Sequence, residues 1–145
     1  PTFATLAQVP DRARWTFRGT DLTPVIADAV ARPGSPTAEV QDSVVFTFDD
    51  ENVATPDGQN IVREPNHIRA IRDKRWKYAV YFDPDGGSRP QRELYDLSKD
   101  PHELINLADP GNPRAYQPKQ VARMDQKLHA AMARTHTAPR AGVLR

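Results

Sequence analysis

The side chains able to do chemistry in this 145-residue sequence are four histidines, an acidic triplet and a basic run. His67, His102, His129 and His136 lie 35, 27 and 7 residues apart. No pair has the i, i+4 spacing that sets two imidazoles on one helical face, and no H-E-x-x-H string occurs, so ordinary surface or helix-end histidines are expected. Asp49-Asp50-Glu51 follows an apolar alternation and could hold a cation. No further oxygen ligands follow in loop register, so a solvated strand end is the expectation. Arg69, Arg72, Lys74, Arg75 and Lys77 would divide between the two faces of a hairpin, which makes a solvated edge rather than a stripe for phosphates. Glycine-rich phosphate cradles and the G-x-S-x-G elbow are missing. Cysteine is absent, which removes disulfides, thiolate zinc sites and a cysteine nucleophile together.

Charge and hydropathy narrow the partners. Twenty Lys and Arg against 19 Asp and Glu leave a net +1, without the basic excess of a phosphate-backbone binder, so nucleic acid is not an expected partner. Mean hydropathy is -0.70, and no apolar run approaches the ~20 residues of a membrane helix, so no membrane partner is expected either. The opening Pro1-Thr2-Phe3 lacks a charged-then-apolar leader, and a first residue other than methionine leads us to expect a processed or excised piece.

The elements that must position these groups are punctuated by 14 prolines, about double ordinary usage. Phe3, Leu6 and Ala7 share a face of one short helical piece. Asp21 precedes a second, in which Pro24 is tolerable only in the first turn. Neither buries its apolar face alone, so both need a partner surface. From residue 43 the period becomes two. Val44, Phe46 and Phe48 alternate, and a second strand is predicted over His67–Arg72 with Ile68 and Ala70 inward and Arg69 outward. Trp76, Tyr78, Val80 and Phe82 mark a third strand, and Glu93–Asp96 a short fourth. The short connections favour antiparallel order. Asp100-Pro101-His102-Glu103 reads as a capped helix start, with Leu104 and Leu107 inward. Val121, Met124, Leu128 and Met132 form the stripe of a final amphipathic helix beginning near Pro118, and the tail beyond Pro139 is expected to fray. The fold class is α+β: a four-stranded antiparallel sheet with a packed C-terminal helix.

Four strings carry a resemblance. Glu93-Leu94-Tyr95-Asp96-Leu97, continuing through Asp100-Pro101 and Glu103 to Asn106-Leu107-Ala108, resembles the sulfatase signature E-L-Y-D-L-x-x-D-P-x-E-x-x-N-L-A at every fixed position. Ile68–Tyr78 is similar to the family's R-A-V-R-x-x-x-x-K-Y hairpin. Pro1–Pro10 is similar to P-T-L-L-D-L-A-G-V-P, and Gly19–Ile26 to G-x-S-L-x-P-L-L. The four occur in the family's order and span residues 1 to about 108. Sulfatases belong to the alkaline-phosphatase-like superfamily.

The resemblance implies the C-terminal part of a sulfate ester hydrolase. Residues 1–40 would be a connecting segment with short helices ending a larger α/β domain. Residues 41–138 would be the C-terminal subdomain, and 139–145 the frayed tail. The missing α/β domain would be the partner, and it would hold the formylglycine and the divalent cation, usually calcium, that the family uses. No cofactor and no catalytic residue is expected within this segment. Ser88-Arg89-Pro90-Gln91-Arg92 does satisfy S-x-P-x-R literally. Yet Gln91 replaces the usual small residue, and a sheet strand follows where the family's nucleophile caps a helix. The segment's part in substrate binding is expected at the approach to strand two. There Arg63 would meet an anionic substrate, and Asn66 and His67 would hydrogen-bond its alcohol portion. Two alternatives stay open: a free-standing α+β protein-binding module, and the same role in a phosphonate or phosphate ester hydrolase.

Overall fold

The computed structural model describes residues 1–49 and 65–144, and the chain divides into two compact units, Pro1–Asp42 and Ser43–Arg145. In the first unit, helix α1 (Thr2–Leu6) and helix α2 (Thr23–Ala31) flank a 3-10 turn at Arg12–Arg14. The Asp21 carboxylate ties them. It accepts the Thr5 hydroxyl at 2.6 Å and the Thr23 backbone N–H at 2.9 Å, while Thr2 Oγ1 accepts the Leu22 N–H. These bonds, led by that from the Thr23 hydroxyl, hold the Asp21 carboxyl at about 2. No residue of α1 or α2 is buried, and Phe3, Trp15 and Val30 are largely exposed.

The second unit is a four-stranded antiparallel sheet in the order β1 (Ser43–Phe48), β2 (His67–Asp73), β3 (Trp76–Phe82), β4 (Gln91–Asp96), with helix α3 (Pro118–Thr135) packed on one face. This is the α+β architecture that the periodicities imply. Strand β3 carries the core. Trp76, Tyr78, Val80 and Phe82 point to the α3 side, where Ile71 and Leu94 flank Tyr78 in register. Met124, Leu128, Ala131 and Met132 of α3 close over them. Burying side chains of this size contributes about 1.5–3 kcal/mol each, enough to decide which face is the core. Two polar bonds fix the helix on the sheet. Tyr78 donates its hydroxyl to Asp125 at 2.8 Å, and Lys127 donates to Asp73 at 2.9 Å. The β2–β3 turn lacks glycine; instead Asp73 Oδ1 accepts the backbone N–H groups of Arg75 and Trp76.

The structure corrects three expectations. Arg69 is not outward: it lies on the α3 side and is buried, while Ile68 and Ala70 lie on the opposite face with Val44 and Phe46. β2 carries apolar residues on both faces, and pairing Ile71 with Tyr78 settles the question in favour of the aromatic face. No helix starts at Asp100-Pro101. Glu103 takes a left-handed φ of 57° and pairs with Lys77 instead of capping, and Leu104 is exposed, although Leu107 does pack against the core. The tail described through residue 144 does not fray: Leu144 is buried in the core, and its carbonyl accepts Arg92 Nη2 at 2.5 Å.

Asn106 explains the first half of that loop. Its Oδ1 accepts the N–H of Leu94 at 3.0 Å and of Ala108 at 2.8 Å, and its Nδ2 donates to the Arg92 carbonyl at 2.9 Å. With Leu107 N–H donating to the Leu94 carbonyl, the loop covers the otherwise open edge of β4. No helix among the described residues is long and apolar enough to cross a membrane.

Candidate functional site

Asn66 and His67 follow Pro65 directly, and His67 opens β2. Both are buried, with 6% and 5% of their surface exposed. His67 Nδ1 lies 2.8 Å from Asn66 Oδ1. The imidazole faces Phe82, its register partner on β3, with ring centroids 5.5 Å apart at 49°. Two residues further along the same face, the Arg69 guanidinium sits 5.3 Å from the centroid of that phenyl ring. The ring therefore bridges an imidazole and a cation.

Arg69 is consumed by the protein. Nη1 and Nη2 grip Asp49 at 2.5 and 2.9 Å, Nε donates to the Thr137 carbonyl at 2.7 Å, and Nη1 also reaches the Ile68 carbonyl. Four of its five N–H groups are thus aimed at protein acceptors. The pair joins the end of β1, the middle of β2 and the turn after α3, and it holds the wall on which His67 rests. Asp49, weighed above as a cation ligand, is used as the partner of a buried arginine; Asp50 and Glu51 lie outside the described residues, as does Arg63. The structure thus brings together Asn66 and His67 and adds Arg69 and Phe82 to them. The signal that would have found Arg69 is its i+2 spacing from His67 and from Ile71, which places all three on one face.

Other titratable groups among the described residues are held as structural donors and acceptors. Burial, then the neighbouring Glu93, pushes the Tyr81 hydroxyl up to about 12, and burial with Asp125 raises Tyr78 too, so both stay neutral donors. His102, His129 and His136 are exposed. Ser88 lies in the β3–β4 turn, where its N–H donates to Asp83 and where Gly86 takes the positive φ the turn needs; no helix starts after it. Among the described residues no three His, Asp or Glu side chains converge to hold a metal ion. What this cluster can do is bind: an imidazole and an amide held at a fixed position beside an aromatic wall.

The sequence matches no protein-family model. It is 43% identical over 58 residues to arylsulfatase K of Xenopus laevis and 38% identical over 60 residues to arylsulfatase K of Bos taurus, which is about two fifths of this chain. The chain spans only 9% of the length of either relative. Among solved structures, 94% of the chain superposes on 23% of BT4656, in complex with its substrate D-glucosamine-2-N,6-O-disulfate, with TM-score 0.61 and 19% identity. It superposes equally far on 26% of a protein from the glycosaminoglycan-metabolism locus of Bacteroides thetaiotaomicron, with TM-score 0.59 and 17% identity. It also superposes on 24% of yidJ of Bacteroides fragilis, assigned as a sulfatase, with TM-score 0.54 and 20% identity. Sequence and fold together resemble the C-terminal subdomain of sulfatases.

Proposed function

We propose that this chain is the C-terminal subdomain of a sulfate ester hydrolase, giving structural support and part of the substrate-pocket rim while the chemistry resides in a larger α/β domain. The observation that carries this reading is the coverage. Nearly all of the chain finds its counterpart in structures about four times as long, and the relatives that match it in sequence are arylsulfatases. In that setting the formylglycine and the divalent cation belong to the partner domain. Asn66 and His67 line the rim and bond the alcohol portion of the ester, and Arg63 supplies positive charge for an anionic substrate.

The sheet face away from α3 supports a second part of the reading. Val44, Phe46, Ile68, Ala70 and Ala79 line a groove of about 490 Å³ there, with Val44 and Phe46 more than half exposed. An apolar face of this kind is suited to the α/β domain of the same enzyme.

The test is kinetic. The full-length gene product is expected to hydrolyse 4-nitrophenyl sulfate or a glucosamine 6-sulfate, and the 145-residue chain alone to turn over neither. In the full enzyme, His67→Ala and Asn66→Ala are expected to raise KM about tenfold, or ~1.4 kcal/mol, with little change in kcat. Wild-type kinetics for both variants would remove them from the rim, and preference for phosphate or phosphonate esters would move the reaction class.

A further inference from the structure

We infer that Asn66 fixes the His67 imidazole in its Nδ1–H tautomer, so that Nε2 offers a lone pair to a hydroxyl or amino donor on the alcohol portion of the substrate. The inference deepens the rim reading and rests on it. An amide Oδ1 carries no hydrogen, so at 2.8 Å from Asn66 Oδ1 the shared proton must belong to His67 Nδ1. In the neutral ring the proton is then spent, and Nε2 is left as an acceptor. Among the described residues no group hydrogen-bonds Nε2, and although the residue is 95% buried, Nε2 is not one of the buried side-chain atoms left without a partner, so it keeps accessible surface through which a donor can reach it.

The neighbours make the ring a fixed instrument. Phe82 limits its tilt from one side, and Phe82 is itself overlain by Arg69, which four bonds to Asp49, Ile68 and Thr137 hold in place. The geometry also selects the ligand chemistry. Sulfate oxygens are acceptors only and gain nothing from a lone pair, whereas an alcohol or amine donates to one. His67 would thus read the hydroxyl or amino group of the alcohol portion, and Asn66, besides its place on the rim, positions His67 through its Oδ1. A site built around such a bond discriminates against analogues that lack the donor.

Two measurements test this. Long-range 15N–1H correlation on the 15N-labelled chain is expected to show a pyridine-type Nε2 and a pyrrole-type Nδ1 at His67. Asn66→Ala should mix the tautomers, and Asn66→Asp, whose carboxylate also accepts, should restore the single form. In the full-length enzyme, a sulfated sugar with a free neighbouring hydroxyl should be favoured in kcat/KM by about tenfold over its O-methyl ether. That preference should vanish in His67→Ala or His67→Gln, weaken in Asn66→Ala and return in Asn66→Asp. A pyrrole-type Nε2 in the unsubstituted chain overturns the inference, and if His67→Ala still raises KM the rim reading survives it. The expected tautomer with a hydroxyl preference indifferent to His67 overturns the inference as well, whereas the rim reading falls only if His67→Ala and Asn66→Ala keep the wild-type KM.

Discussion

Single side chains standing in for missing backbone partners recur through the sheet unit. Asp96 ends β4 almost wholly buried and gathers Arg75 Nη2 at 2.7 Å and the Ser98 hydroxyl at 2.6 Å. The Arg75 bond, then that of Ser98, outweigh burial and hold its carboxyl at about 2. Because the folded value lies below the ordinary one, this stabilisation is complete above about pH 4 and is lost as pH falls through about 2. Asp96→Asn is expected to lower stability at neutral pH by about 1–2 kcal/mol, a modest figure because the Arg75 side chain is half exposed, and to flatten the urea midpoint between pH 4 and pH 2. Asn106→Ala strands the Leu94 and Ala108 N–H groups and the Arg92 carbonyl together. A loss of about 2–3 kcal/mol is expected in denaturant unfolding, with no change in the helical circular dichroism of α3.

Elements are joined where buried charge meets a chain end. Arg69 ties β1 through Asp49 and the α3 exit through Thr137, so Arg69→Ala leaves both without their donor and opens a gap beside Phe82. A destabilisation of about 3–5 kcal/mol is expected from thermal or urea unfolding, with Arg69→Met recovering only the part that comes from the gap beside Phe82, because its chain refills that space while Asp49 and the Thr137 carbonyl still lack their donor. The tail behaves as an element as well. Leu144 completes the core beside Met132, so cutting the chain after residue 138 is expected to lower the urea midpoint rather than leave it unchanged.

At the scale of the whole molecule the apolar surface is unevenly distributed. One sheet face is closed by α3, while the other leaves Val44 and Phe46 more than half exposed, and Phe3, Trp15 and Val30 of the first unit are exposed too. Isolated, the chain is expected to self-associate at micromolar concentration in sedimentation velocity, and Phe46→Glu to shift it toward monomer. A wild-type chain monodisperse at high concentration would favour a free-standing module over a subdomain.

What the sequence determined by itself is what short-range physics governs. The period-two runs at 43–48 and 76–82 set strands with those very bounds, and the 3.6-residue stripe from Val121 to Met132 set the packed helix, whereas the proposed site residues Asn66 and His67 carry no such periodic signal. The four strings carry the sulfatase resemblance without any tertiary information. Tertiary structure alone decided which face of β2 is inside, since Ile68, Ala70 and Ile71 satisfy either choice locally and only pairing with Tyr78 and α3 breaks the tie. It likewise turned a locally sound capping sequence at Asp100 into a turn, because covering the β4 edge with Asn106 and Leu107 satisfies more buried backbone than one short helix would. Local patterns record what a segment prefers; the partner across the sheet determines which preference is met.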